Sequence, residues 1–87
     1  MARIKEDVLR DYVGERVSRA RKMLGISQVD LADRIGVTDK TIYNIEKGRN
    51  DVSFLILMKI AVTLCVPIEC FVPALKQTQP IEFLEKL

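Results

Sequence analysis

The chain has 87 residues, 48% of them apolar and 30% charged, with a formal net charge of +2. That length supports one hydrophobic core and not two, and the apolar fraction excludes a disordered chain. A charge this small does not by itself argue for a nucleic-acid partner.

In chain order, the first eleven residues are charge-rich, with Ile4 and Val8 at helical spacing. They read either as a backward extension of the first helix or as a short helix of their own. Val13, Val17, Ala20 and Leu24 then recur at helical spacing up to Gly25. Ser27 opens a second helix, with Asp30 three residues on in a capping-box pattern. Val29, Leu31, Ala32 and Ile35 supply its inner face, and Gly36 is its expected C-cap. Thr38 caps a third helix with Ile42 and Ile45 inward, ended by Gly48. Residues 41–45 have a strand-like composition, but they lie between a cap and a glycine at helical length, and tertiary context overrides that preference.

Ser53 caps a fourth helix, running from residue 54 to about 65 and stopped by Pro67. Its inward face is expected to be Phe54, Leu57, Met58, Ala61 and Leu64. A short fifth turn or helix covers residues 67–72, with proline at its permitted first position. Beyond Pro73 the periodicity lapses. Gln77-Thr78-Gln79-Pro80 reads as a linker, and residues 81–87 as a last amphipathic segment. The expected organisation is an N-terminal extension (1–11), a helical domain (12–73) and a C-terminal tail (74–87).

Catalytic and metal chemistry find few candidates. There is no histidine, and Cys65 and Cys70 flank Pro67 at a spacing that matches no zinc or dithiol redox pattern. They read as buried, reduced thiols. With no glycine-rich phosphate loop and no metal-ligand cluster, no enzyme activity, metal or cofactor is expected. The apolar run at 54–58 is too short to cross a membrane, and the charged start lacks the apolar stretch of a secretory leader. A cytoplasmic protein is expected.

Two short helices joined by a tight turn holding Gly36 form the arrangement in which one helix braces another across a DNA groove. Gly36 permits a sharp turn that other residues resist, and Ala32 is small where the two helices must approach. Val37, Ile42 and Ile45 pin the second of them to the core. Asp39, Lys40, Tyr43, Asn44 and Lys47 are left on its outer side.

On these residues the stretch 16–72 resembles the Cro/CI-type (lambda-repressor-like, XRE) helix-turn-helix regulators. The matching residues are Arg21, Gly25-Ile26-Ser27-Gln28, Leu31-Ala32, Ile35-Gly36-Val37, Thr41-Ile42, Ile45-Glu46-Lys47-Gly48-Arg49, Lys59-Ile60-Ala61 and Leu64, in that order and spacing. The resemblance implies an all-α, five-helix lambda-repressor-like domain that binds double-stranded DNA, usually as a dimer on a two-fold symmetric operator. It also implies that Gln28 reaches a phosphate and that Arg21 and Glu46 form a framework ion pair between the first helix and the end of the third.

Base reading falls to Lys40, Asn44 and Thr41, with Tyr43 next. Lysine donates to guanine O6 and N7, and asparagine pairs with adenine N6 and N7. Thr41 suits a thymine methyl or a phosphate. Asp39 either stabilises the helix N-terminus or accepts from cytosine N4. Tyr43 is a reader or a half-buried surface aromatic. Lys47, Arg49 and Asn50, with Thr38 and Gln28, are the expected phosphate contacts, which supply salt-sensitive affinity and register.

The fourth helix departs from the family in being apolar nearly all round, with Leu55, Ile56 and Val62 added to its inward face, so something must cover it. The candidates are the tail (Ile81, Phe83, Leu84, Leu87), the N-terminal extension (Ile4, Val8, Leu9, Tyr12) or a second subunit. The expectation is a homodimer interface built from Leu55, Ile56, Val62, Ile68, Phe71, Ile81, Phe83 and Leu84. An N-terminal arm reaching DNA through Arg3 and Lys5 is the minor alternative. Two rival functions share this pattern: an antitoxin-like or adaptor protein that binds a protein partner, and a restriction-modification controller.

Overall fold

A computed structural model of the protein describes residues 5–72. Expectations about Arg3, Ile4, the linker and the tail residues Ile81, Phe83, Leu84 and Leu87 lie outside the described residues. Within them, α1 (Glu6–Met23), α2 (Gln28–Ile35), α3 (Asp39–Glu46) and α4 (Phe54–Leu64) are followed by a 3-10 turn at Ile68–Cys70, with no strand among the described residues.

The expectation of five helices is corrected to four. Residues 67–72 close only i→i+3 bonds, from Cys70 N–H to the Pro67 carbonyl (3.0 Å) and from Phe71 N–H to the Ile68 carbonyl (2.9 Å). The Phe71 side chain is driven wholly into the core (0% exposed), and Pro73 disfavours a helical Val72, so the segment stops after one turn. This also removes Phe71 from the expected dimer surface.

α1 takes in residues 6–11, so the charge-rich start continues the first helix rather than forming its own. Glu6 and Asp7 lie in its first turn, where acidic side chains oppose the helix dipole. Its buried stripe is Gly14, Val17 and Arg21. Leu24 is the C-cap, past the last helical residue, and is exposed rather than inward.

The three shorter helices open on hydroxyl caps. Ser27 Oγ accepts from Asp30 N–H (3.0 Å), Thr38 Oγ1 from Thr41 N–H (3.2 Å) and Ser53 Oγ from Ile56 N–H (3.1 Å). Each cap satisfies a backbone donor that the first turn leaves unpaired, which stabilises by about 1 kcal/mol. Gly36 ends α2 in the left-handed conformation (φ 79°) and returns its N–H to the Ala32 carbonyl.

Leu31, Ala32 and Ile35 of α2, Ile42 of α3, Leu57, Ile60, Ala61 and Leu64 of α4, Val17 and Phe71 make one core. Val29 is exposed, because it lies about 200° round the helix from Leu31. In α4 the buried stripe runs 57, 60, 61, 64, leaving Phe54 and Met58 outward, contrary to expectation. Phe54 opens the helix, and its side chain leans back beyond the core; Met58 falls just off the stripe. Ile56 and Ile68 are partly buried against the core. Cys65 is exposed rather than buried, since it caps α4 in a left-handed conformation (φ 56°) outside the stripe.

α1 crosses α3 in direct backbone contact. A Cβ at Gly14 would overlap the carbonyl oxygens of Ile45 and Glu46, so the absent side chain sets how closely the two helices pack.

Candidate nucleic-acid interface

With Ile42 and Ile45 buried, α3 turns its other side to solvent. Lys40, Tyr43, Asn44 and Lys47 follow the spacing i, i+3, i+4, i+7 and so line one stripe. Lys40 and Lys47 are exposed, Asn44 is half-buried, and Tyr43 is 39% exposed.

At the N-terminal end of the stripe, the Thr38 and Thr41 hydroxyls share a hydrogen bond of 2.9 Å. The Asp39 carboxylate accepts from Lys40 N–H (3.0 Å). That contact suits the helix-stabilising reading of Asp39. At the C-terminal end, Arg49 N–H donates to the Asn44 carbonyl (2.9 Å), folding the chain back over the helix. This brings Lys47 Nζ to 5.7 Å and Arg49 Cζ to 5.6 Å from the Tyr43 ring centroid. Asn50 is exposed in the loop that follows.

A buried polar frame holds this helix from behind. Arg21 Nε and Nη2 donate to the two Glu46 carboxylate oxygens at 2.7 and 2.9 Å, while Arg21 Nη1 donates to the Ile26 carbonyl at 2.9 Å. Gln28 Nε2 donates to Glu46 Oε1 at 3.0 Å, so at least one donor expected on a phosphate is used inside the protein. The two charged side chains are only 10% and 5% exposed.

Burial pushes the Glu46 carboxyl up, but hydrogen bonds from Arg21 and Gln28, the Arg21 charge and a hydrogen bond from Ser18 outweigh it. The net effect holds the carboxyl below its usual range. The bond to Glu46 likewise raises the Arg21 guanidinium, against the effect of its own burial. Both partners therefore stay charged, and no buried side-chain nitrogen or oxygen among the described residues lacks a hydrogen-bond partner.

Three features of the frame escape sequence reading: the Gly14 contact, the Ser18 contribution and an ion pair from Arg10 Nε to Asp51 Oδ1 (2.6 Å). The ion pair ties α1 to the loop carrying Arg49 and Asn50. Only Gly14 leaves a local signal, a glycine inside a helical pattern where it costs about 1 kcal/mol against alanine.

Among the described residues no group of His, Cys, Asp and Glu side chains is placed to hold a metal ion, and no helix is long and apolar enough to cross a membrane.

The capped pair α2 and α3, joined through Gly36 and braced by α1 and α4, is a helix-turn-helix of the DNA-binding kind. A model of the helix-turn-helix family matches residues 17–69. The chain is 42% identical over 69 residues to a transcriptional regulator in the ATPase CF(0) region of Rhodospirillum rubrum, covering 79% of this chain and 64% of that protein's length. The restriction-modification controller protein C.AhdI from Aeromonas hydrophila is similar in structure, with a TM-score of 0.68 and 26% identity over 71% of this chain and 94% of that one. The hypothetical transcription factor NHTF from Neisseria shares the fold with a TM-score of 0.71 at 22% identity, over 100% of this chain and 94% of that one. The chain belongs to the helix-turn-helix family, in its XRE branch.

Proposed function

We propose that the protein is a cytoplasmic, sequence-specific regulator that binds a two-fold symmetric operator as a homodimer, acting by occupancy and not by catalysis. The observation that carries this reading is the solvent-facing stripe Lys40, Tyr43, Asn44 and Lys47 on a helix whose opposite side is buried and hydrogen-bonded. α3 enters the major groove. Lys40 donates to guanine and Asn44 pairs with adenine, with Thr41 beside them. Thr38, Lys47, Arg49 and Asn50 meet phosphates on either side, and Gln28 steadies Glu46 from the start of α2.

Dimerisation uses the outer face of α4. Phe54, Leu55, Met58 and Val62 are 66%, 62%, 43% and 77% exposed. Together they leave on the order of 400 Å² of apolar surface, the size of the largest patch on an ordinary monomer, which is often functional. Two such faces bury about 800 Å², short of the roughly 1,200 Å² of a stable interface. Ile56, Ile68 and the tail residues Ile81, Phe83 and Leu84 are the added surface this reading requires. The dimer is accordingly weak, and operator binding drives its assembly, with recognition helices about 34 Å apart.

The likeness to C.AhdI favours a second setting, control of a restriction-modification system, which uses the same DNA chemistry. Genomic neighbours separate the two.

The test is quantitative binding to duplexes selected from a random library. Lys40→Ala and Asn44→Ala each cost about 1–3 kcal/mol at the selected site and relax preference at one position. Lys47→Ala weakens all sequences alike and lowers the salt slope by about one. Equal effects from the two groups would mean that α3 does not present this stripe to bases. Sedimentation showing only monomer at high micromolar concentration, with and without operator, would remove the dimer.

A further inference from the structure

Tyr43 carries two cations on one exposed ring. Lys47, one helical turn on, brings Nζ to 5.7 Å from the ring centroid. Arg49 reaches it by another route. Gly48 turns the chain through a left-handed conformation (φ 71°), and the Arg49 N–H is pinned to the Asn44 carbonyl at 2.9 Å. The guanidinium carbon then stands 5.6 Å from the same centroid.

Three surface arginines pair with carboxylates, Arg10 with Glu6 and Asp51, Arg19 with Glu15 and Arg34 with Asp30, whereas Arg16 stands over the Tyr12 ring at 4.9 Å with no ion pair to a described residue. Among the described residues no ion pair includes Lys47 or Arg49. Both positive groups lie within about 6 Å of the same ring centroid, so an anion placed beside them meets two charges that no described carboxylate neutralises.

The two cations also lie at and beyond the C-terminal end of α3, Lys47 as its C-cap and Arg49 in the loop after it, whereas base contacts come from within a recognition helix. We propose that Tyr43, Lys47 and Arg49 form a seat for one backbone phosphate of duplex DNA, in which Tyr43 is a positioning residue and not a base reader. Its ring holds the ammonium and guanidinium groups in place before DNA arrives, so their ordering cost is met in the free protein. This rests on the DNA-binding reading above and assigns Tyr43 a different part in it.

The experiment measures binding of the full chain to a selected operator and to an unrelated duplex, between about 50 and 200 mM salt. Wild type, Tyr43→Phe and Tyr43→Leu are compared, each checked for an unchanged helical spectrum and melting temperature. Tyr43→Phe, which keeps the ring, should bind within about twofold of wild type with the same salt slope. Tyr43→Leu should weaken operator and unrelated duplex by the same factor, about five- to tenfold at the lowest salt, with a shallower slope. Adding Lys47→Gln should cost less in the leucine background than in wild type, because Tyr43 acts through Lys47.

Three results overturn the proposal. Tyr43→Leu could shift the preferred base pair while sparing the unrelated duplex, it could match wild type on both, or Tyr43→Phe could lose as much as Tyr43→Leu. A wild-type chain with no salt-dependent affinity for any duplex would instead sink the DNA-binding reading itself.

Discussion

One added methyl group on α1 sets two effects of opposite sign against each other. Alanine is about 1 kcal/mol better than glycine inside a helix, so on propensity alone Gly14→Ala stabilises. The new Cβ, however, would run into the carbonyl oxygens of Ile45 and Glu46. These are main-chain atoms of the last turn of α3 and cannot rotate aside. α1 and α3 must part instead, by on the order of 1 Å. The seam that opens holds Val17 (0% exposed), Ile42 (0%) and Ile45 (2%), with the Arg21–Glu46 pair next to it.

Overpacking costs about 1–3 kcal/mol where side chains can yield, and a backbone seam lies at the top of that range. After the propensity gain, the net loss is about 2 kcal/mol. For a domain of this size that lowers the melting temperature by about 8–15 °C. Thermal and urea unfolding followed by circular dichroism reads it directly. The substitution should also weaken operator binding at temperatures where both proteins are folded, since α3 is displaced. A variant that melts at or above wild type would refute the claim that this contact sets the α1–α3 distance.

Removing Arg21 tests the frame from the charged side. Arg21→Met leaves the Glu46 carboxylate, 5% exposed, with Gln28 as its remaining side-chain donor, at a cost of about 3–5 kcal/mol. Adding Glu46→Gln should recover a large part of it. An Arg21→Met cost under about 1 kcal/mol in urea unfolding would deny the pair its bracing role. The same carboxyl fixes a pH dependence. Its folded value lies below the ordinary one, so its stabilisation is complete above the unfolded value of about 4.3 and is lost as pH falls through the folded value. The difference in melting temperature between wild type and Glu46→Gln should therefore shrink on acidification below about pH 4. A difference that widened would have the wrong sign.

How much of this is legible in the sequence depends on how locally each feature is determined. Ser27, Thr38 and Ser53 read correctly as caps because a short hydroxyl residue before an apolar stripe has one main use there. The inner faces of α2 and α3 are nearly as plain, since polar residues bracket Leu31-Ala32-Ile35 and Ile42-Ile45 and fix the phase; Val29 alone misleads. α4 lacks that contrast. Lys59 and Thr63 are the only polar residues in FLILMKIAVTL, so periodicity cannot choose a face, and the reading puts Phe54 and Met58 inward while leaving Ile60 out of that face. The expected fifth helix shrinks to one turn because Phe71 is needed in the core, a demand that comes from other elements. Gly14 and Arg10 answer to partners 31 to 41 residues away; a glycine inside a helical pattern marks the first without naming its partner, and no local pattern announces the second. The outer stripe of α3 is readable because its spacing is helical and its opposite face is visibly apolar.

That division has a consequence for how specificity can change. α3 has eight residues, too few to hold helical shape alone in water. Its form and aim come from the Thr38 cap, the buried Ile42 and Ile45, the Gly14 seam and the Arg21–Glu46–Gln28 cluster, all at its end or behind it. The stripe of Lys40, Tyr43, Asn44 and Lys47 makes no buried ion pair and supplies none of the core, so replacing those side chains should move stability by no more than about 0.5 kcal/mol. On the proposed DNA-binding reading, base preference can therefore be rewritten on the outer side without endangering the fold. Changes behind the helix lower stability and affinity together. A variant of Lys40 or Asn44 that unfolded the domain, or one of Gly14 that altered only base preference, would break this separation.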